Sequence, residues 1–129
     1  CIISYADILY QKEAIEILNK AKTKKGIIIL SFKHWKKYWN KRFDNPLSDL
    51  ETFKINDKNQ LIEIGNRTNS YKNIKGQYMG VFKIDPSSWK KIKQYLFKDV
   101  KNLNKIDITA LFQLIIKKKI CNIFIRISV

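Results

Sequence analysis

The chain has 129 residues, of which 45% are hydrophobic and 12% aromatic, so it can build the core of one domain but not of two. No apolar run approaches the roughly 20 residues of a membrane-spanning helix. The longest run, residues 26–30, has the length of a buried strand. The formal net charge of +15 raises the question of a nucleic-acid partner.

Lysine carries most of this charge, because arginine occurs only at Arg42, Arg67 and Arg126. Specific recognition of phosphates and bases favours arginine, whose planar fork binds through two hydrogen bonds. The chain is also rich in Asn and Ile, which share AT-rich codons with Lys. A lysine-coated surface therefore accounts for the charge, and the pattern does not favour a nucleic-acid partner.

Cysteine usage points to a reducing compartment. Cys1 and Cys121 form no CxxC pair, which argues against a zinc site or a disulfide scaffold. There is no basic-then-apolar signal pattern, so we expect a cytoplasmic protein. The first residue is Cys rather than Met and opens directly into an apolar run, so we expect the sequence to be truncated at its front.

The first third alternates strand, helix and strand. Residues 1–4 predict a short buried strand, residues 11–22 an amphipathic helix, and residues 27–32 a second buried strand. Such a unit implies a parallel sheet with a right-handed crossover.

The middle third begins with a short aromatic helix over residues 34–42, which Pro46 separates from the next segment. Residues 51–56 and 60–64 alternate apolar and polar side chains, which predicts a hairpin. Residues 65–75 are polar and predict a loop.

The last third predicts a strand at residues 77–84, a helix beginning at Asp85-Pro86, a helix over residues 107–117 with Asp107 as its N-cap, and a strand at residues 121–127. Tryptophans at helical spacing are usually core residues, and this expectation covers Trp35, Trp39 and Trp89. The alternation predicts one α/β domain over residues 1–129.

Asp7 follows the first strand directly. In open α/β sheets, ligands bind beyond the carboxyl ends of the strands. A lone carboxylate there can hold Mg²⁺ while phosphates and water supply the other ligands. The same aspartate could instead cap the following helix, and spacing alone leaves the two interpretations even.

Two glycine-bearing segments form a second candidate site. One is Glu63-Ile64-Gly65, and the other places Gln77 and Tyr78 between Gly76 and Gly80. Glycine allows close approach to a ligand, and Gln77 and Tyr78 offer hydrogen-bonding groups. The alternative is a bulged strand beside an ordinary surface loop.

Arg42 could clamp a phosphate, or it could pair with Asp44 or Asp49 on the surface. His34 is the sole histidine, and no nucleophile accompanies it, so a packing or surface role is favoured over catalysis.

Taken in order, the motifs resemble one known group, the nucleotidyltransferases related to sugar-phosphate nucleotidyltransferases and phosphocholine cytidylyltransferases. The segments that carry the resemblance are residues 4–8, Trp35, residues 42–53, 61–65, 74–80 and 107–111. The block 42–53 and Gly-Gln-Tyr-Met-Gly are the most specific.

The resemblance implies a Rossmann-like, mixed, mainly parallel sheet flanked by helices. It implies transfer of a nucleotidyl group from an NTP of the CTP or UTP type to a phosphorylated small molecule, such as phosphocholine or a sugar phosphate, with release of pyrophosphate. Asp7 would be the catalytic Mg²⁺ ligand. Glu63, Gly65, Gln77 and Tyr78 would line the acceptor pocket, with Arg42 as a further substrate-binding candidate.

Departures from the family pattern lie at both ends and in two positions between. The glycine-rich G-x-G-x-R start and the W-x-E-x-D segment have no match, so we expect the domain to lack its N-terminal nucleotide-binding segment. Phe32 stands where the family often has Asp, and Leu50 where Ala or Gly is common. We expect these 129 residues alone to be inactive; the alternatives are a basic, non-enzymatic nucleic-acid-binding module and a degenerate remnant.

Overall fold

The computed structural model describes residues 1–22 and 25–127. Its strands and α-helices, in chain order, are β1 Ile2–Ser4, α1 Lys12–Lys20, β2 Ile27–Ser31, α2 Trp35–Arg42, β3 Glu51–Ile55, β4 Leu61–Arg67, β5 Tyr78–Ile84, α3 Pro86–Asp99, α4 Ile108–Lys118 and β6 Ile123–Ile127. The element types follow the sequence expectations.

The main sheet has the strand order β1-β5-β2-β6. β5 is antiparallel to both β1 and β2, whereas β2 and β6 are parallel. The α/β class and the mixed sheet are therefore confirmed, and β1, β2 and β6 run in one direction. β1 and β2 run in the same direction, as expected for a strand–helix–strand unit, but they are not neighbours, because the longer and more buried β5 lies between them.

Helices cover both faces of this sheet. Successive β2 residues point to opposite faces, so Ile27 and Ile29 join the core beneath α3 and α4, while Ile28 and Leu30 pack with the α1 residue Leu18. All five residues of β2 are buried, as a strand covered on both faces requires.

The predicted hairpin is present as the antiparallel pair β3–β4, which forms a separate two-stranded sheet. Its turn is fastened to β6 by two hydrogen bonds. The Asn59 side-chain amide donates to the Ile125 carbonyl at 2.7 Å, and the Asn59 backbone carbonyl accepts from the Ile125 N–H at 3.1 Å. β4 continues to Arg67, so the predicted loop over residues 65–75 was wrong for its first three residues.

Two burial expectations were also wrong. β1 is exposed, with Ile2 at 36% and Ile3 at 37%, because it is an edge strand that pairs only with β5 among the described residues. None of the three tryptophans is in the core, and Trp89 is 44% exposed, because Ile92 takes the inward position of α3.

Asp107 caps α4, as predicted, by accepting the Ala110 N–H at 2.7 Å. Asp85 caps α3 through the Ser88 N–H and also accepts the Gly26 N–H at 2.6 Å, which ties α3 to the start of β2. Among the helices that the structure describes, none combines the length and the apolar character that crossing a bilayer demands.

Candidate functional site

The carboxyl ends of β1 and β2 lie at the same edge of the sheet, since both strands are antiparallel to β5 between them. Asp7 follows β1 at this edge and is exposed. The capping alternative for Asp7 is excluded, because the N-cap of α1 is Gln11, which makes no side-chain capping bond. Asp7 therefore has no capping role at α1.

Tyr78 opens β5 at the same edge. Its ring packs edge-to-face on Phe112, with 5.3 Å between centroids, and on Tyr5, with 6.0 Å. The hydroxyl is shut off from solvent and has no hydrogen-bond partner among the described residues. Burial, with smaller contributions from Tyr5 and Tyr10, raises the pKa of Tyr78 far above its usual range, so the group stays a protonated donor.

The glycines of this region make room for neighbouring side chains. Gly80 has φ +78°, and a Cβ there would lie 2.8 Å from side-chain atoms of both Tyr5 and Ile8. Gly65 has φ +81°, and its Cβ would overlap Thr109. Both positions therefore require glycine for backbone conformation and for packing, which favours the bulged-strand alternative over direct approach to a ligand.

Gln77 connects three segments at this edge. Its side-chain amide donates to the Glu51 carbonyl at 3.1 Å, and its own carbonyl accepts from the Phe32 N–H at 3.0 Å. The first residues of β3 and β5 and the end of β2 are thereby held together.

Carboxylate charges act on the Tyr5 phenol. Burial raises the pKa of Tyr5, the charges of Asp107, Glu51 and Asp7 raise it further, and the Thr109 side chain opposes them. We call these residues, together with Tyr78, the tyrosine–carboxylate cluster. It is a local negative region in a chain whose net charge is +15.

Glu51 belongs to this cluster and was not singled out from the sequence. Burial raises the pKa of its carboxyl, Asp107 and Asp49 add to the effect, and Arg67 opposes it. Glu51, Tyr5 and Thr109 all lie within the motif segments that carried the family resemblance. Their positions in those motif segments were the only indication available from the sequence. The fold shows that Glu51 and Thr109 act on the Tyr5 phenol.

Two predicted site residues lie elsewhere. Glu63 pairs with the Lys54 Nζ at 2.5 Å and accepts from the Asn66 side chain at 3.0 Å, and these two contacts lower its pKa. The Arg42 guanidinium lies 5.4 Å from the centroid of Phe43. The contacts of both residues are thus with chain neighbours or the hairpin, and not with the tyrosine–carboxylate cluster.

Whether these residues could bind a metal ion depends on the ligands that the substrate would supply. Within residues 1–22 and 25–127, no group of three or more side chains could hold a metal. Mg²⁺ nevertheless binds through one or two carboxylates where substrate phosphates and water complete its octahedron. The exposed Asp7 fits that limited role, and a dedicated protein-made cage is not present among these residues.

The fold is that of an α/β protein with a mixed sheet, and the candidate site lies at the carboxyl ends of β1 and β2, where open α/β sheets bind ligands. The chain is 36% identical over 124 aligned positions to the CTP:phosphoglutamine cytidylyltransferase of Campylobacter jejuni, a match that covers 91% of this chain and 48% of that protein. The chain belongs to the cytidylyltransferase-like nucleotidyltransferases, as its motifs predicted. It spans about half the length of this curated relative. No protein-family profile matches it.

Proposed function

We propose that the chain carries the acceptor side of a nucleotidyltransferase site. In this proposal a CTP- or UTP-type donor transfers its nucleotidyl group to a phosphorylated small molecule, such as phosphocholine or a sugar phosphate. The Campylobacter jejuni relative, a CTP:phosphoglutamine cytidylyltransferase, has a name that fits a phosphorylated acceptor.

One observation supports the acceptor role most directly. The Tyr78 hydroxyl is buried at the sheet edge without a hydrogen-bond partner among the described residues. An unpaired buried donor is costly, and such groups occur where a ligand completes the bonding. Tyr5 covers the same ring and is itself 37% exposed, so an acceptor reaches the hydroxyl by moving the Tyr5 ring aside.

The proposed transfer requires the two substrates to be positioned for direct attack, and it requires no covalent intermediate. An oxygen of the acceptor phosphate attacks the α-phosphorus of the NTP, the bond from that phosphorus to the bridging oxygen breaks, and pyrophosphate leaves. Tyr78 and Tyr5 would orient the acceptor by hydrogen bonding, and Gln77 would hold the β3 and β5 ends in register. Holding the reacting groups in line is the main source of rate enhancement in such a transfer.

Asp7 would be the Mg²⁺ ligand of this chain. When bound, the ion would neutralise charge on the phosphates. Asp7 stands one residue beyond the Tyr5–Ala6 pair at the end of β1, so the ligand and the acceptor-orienting tyrosine belong to one short segment.

The proposal is tested by titrating the protein with phosphocholine, glucose 1-phosphate and inorganic phosphate, followed by amide NMR shifts. We expect the phosphorylated organic acceptor to shift residues 5–10, 77–80 and 107–109. Tyr78→Phe should weaken that binding about fivefold through loss of one hydrogen bond. The matched control is Tyr95→Phe on α3, which should bind as the parent does.

One result would count against this function, and another would overturn the expectation that the 129 residues are inactive by themselves. If no phosphorylated acceptor shifts the tyrosine–carboxylate cluster at millimolar concentration, the acceptor role is wrong. If the 129 residues with Mg²⁺, CTP and an acceptor release pyrophosphate rapidly, the expectation that they are inactive by themselves is wrong.

A further inference from the structure

Two residues of opposite charge, Glu51 and Arg67, are cross-strand partners at the end of the β3–β4 hairpin that lies opposite its turn. Directly opposite residues of an antiparallel pair place their side chains on the same face. Both side chains are exposed, and the ion pairs found in the described part of the chain include neither of them. This charge pair therefore offers one negative and one positive group to a ligand.

Gln77 connects the charge pair to the candidate site. Its side-chain amide donates to the Glu51 carbonyl at 3.1 Å, and the residue after it is Tyr78, whose hydroxyl has no partner among the described residues. Asp7 follows β1 at one end of the strand order, whereas the hairpin is fastened to β6 at the other end. An acceptor whose phosphate faces Asp7 would therefore extend past the tyrosines, with its far end towards the charge pair.

Glu51 is the carboxylate at this edge that remains available to a cation. Asp107 accepts a backbone N–H at 2.7 Å as the cap of α4, and Asp49 accepts the Trp39 indole N–H at 2.9 Å. Asp7 is the proposed Mg²⁺ ligand. The Glu51 carboxylate, by contrast, accepts no hydrogen bond from the residues that the structure describes. A cationic group of the acceptor would therefore pair with Glu51.

Arg67 lines an open depression of about 550 Å³. The other residues that line it are uncharged, namely Leu47, Ser48, Thr68, Asn69 and Asn73. The Thr68 hydroxyl accepts from the Ser70 N–H and from the Asn73 side chain, both at 3.1 Å, so hydrogen bonds within the rim hold it in place. The guanidinium is thus the charged group of the depression, and its planar fork suits a carboxylate that accepts two hydrogen bonds.

We propose that Glu51 and Arg67 recognise the end of the acceptor remote from its phosphate, and that this end carries both an ammonium and a carboxylate group, as a phosphorylated amino acid does. The inference rests on the proposed function for the placement of the phosphate. The ammonium group pairs with Glu51 and the carboxylate with Arg67. A neutral sugar would satisfy neither protein group, and a choline end would satisfy only Glu51.

The test compares three small phosphate esters by amide NMR titration of the 129-residue protein. O-phosphoserine carries both groups, phosphoethanolamine only the ammonium, and 3-phosphoglycerate only the carboxylate. We expect O-phosphoserine to bind about tenfold more tightly than either of the others, because each lacks one charge-assisted contact. Arg67→Gln should reduce the preference over phosphoethanolamine to within about twofold, and Glu51→Gln should do the same for the preference over 3-phosphoglycerate.

The matched controls are Lys90→Gln on α3 and Glu13→Gln on α1, which remove the same charges at exposed positions and should leave both preferences unchanged. Because 3-phosphoglycerate has the largest negative charge of the three esters, an affinity order set by the net charge of +15 would place it first, and that order would overturn the inference. Preferences that persist in both Arg67→Gln and Glu51→Gln would overturn it as well.

Failure of the proposed function gives a different result. In that case neither the three esters nor phosphocholine would shift residues 5–10 and 77–80, and both proposals would be wrong. If only the present inference fails, the esters still shift these residues, but with affinities that do not depend on Glu51 or Arg67.

Discussion

Replacing Tyr78 by Phe should make the protein more stable and its acceptor binding weaker. The change removes one hydroxyl that is buried without a partner and leaves the ring in place. The edge-to-face contacts with Phe112 and Tyr5, at interplanar angles of 73° and 81°, do not depend on the hydroxyl. The substitution therefore separates the cost of the polar group from the packing of the ring.

The magnitude derives from the desolvation cost of an unsatisfied buried polar group, about 1–3 kcal/mol. Because an exposed Tyr5 ring forms part of the covering, the lower end applies, and we expect a gain of about 1 kcal/mol. For a domain of this size that is a rise in Tm of roughly 3–6 °C. Urea unfolding followed by circular dichroism should show a higher midpoint with an unchanged slope.

Tyr10→Phe is the matched control, since the Tyr10 hydroxyl donates to the Met79 carbonyl at 3.1 Å. Loss of that bond should destabilise the protein by about 0.5–1.5 kcal/mol. The two variants should thus move the midpoint in opposite directions. A Tyr78→Phe variant that is destabilised like Tyr10→Phe would refute the claim that its hydroxyl lacks a partner.

Three other predictions concern the same framework. Gly80→Ala should cost about 1–3 kcal/mol in urea unfolding, because φ is positive there and the added methyl would meet Tyr5; a change below about 0.5 kcal/mol would contradict this. Asp85→Ala should cost about 1–2 kcal/mol at pH 7 through loss of the cap. Burial opposes ionisation of Asp85, but hydrogen bonds led by the Gly26 N–H outweigh it and hold its pKa low, so the difference from the parent should narrow only as the pH falls below 3.8. Glu51→Gln should be neutral below pH 4.5 and should raise Tm at pH 7, because burial raises the pKa of that carboxyl and its penalty grows as the pH rises; a lower Tm at pH 7 would count against it.

Local patterns were sufficient for most elements of this chain. The apolar run of β2, the alternation of β3 and β4, and the Asp107 cap each depend on side chains close in sequence, and the structure contains all three. The motif order also predicted the family. The neighbour of β1 could not be predicted in this way, because pairing with β5 joins segments about 80 residues apart.

The candidate site was also only partly predictable from the sequence. The sequence marked Asp7, Gln77 and Tyr78, and the fold brings the elements that carry them to one edge. It also marked Glu63, whose carboxylate is instead engaged by Lys54 across the hairpin. A residue's place in a motif does not reveal which neighbour will neutralise it, since cross-strand register decides that contact.

The sequence by itself determined the α/β class, the Asp107 cap of α4 and the family, because these rest on local periodicity and on ordered motifs. Only the tertiary structure decided that the Tyr5 ring packs against Tyr78, and that the charges of Asp107 and Glu51 act on the Tyr5 phenol. The physical reason is that burial and electrostatic potential at a sheet edge depend on many residues that are distant in sequence. A local sequence pattern therefore cannot predict them.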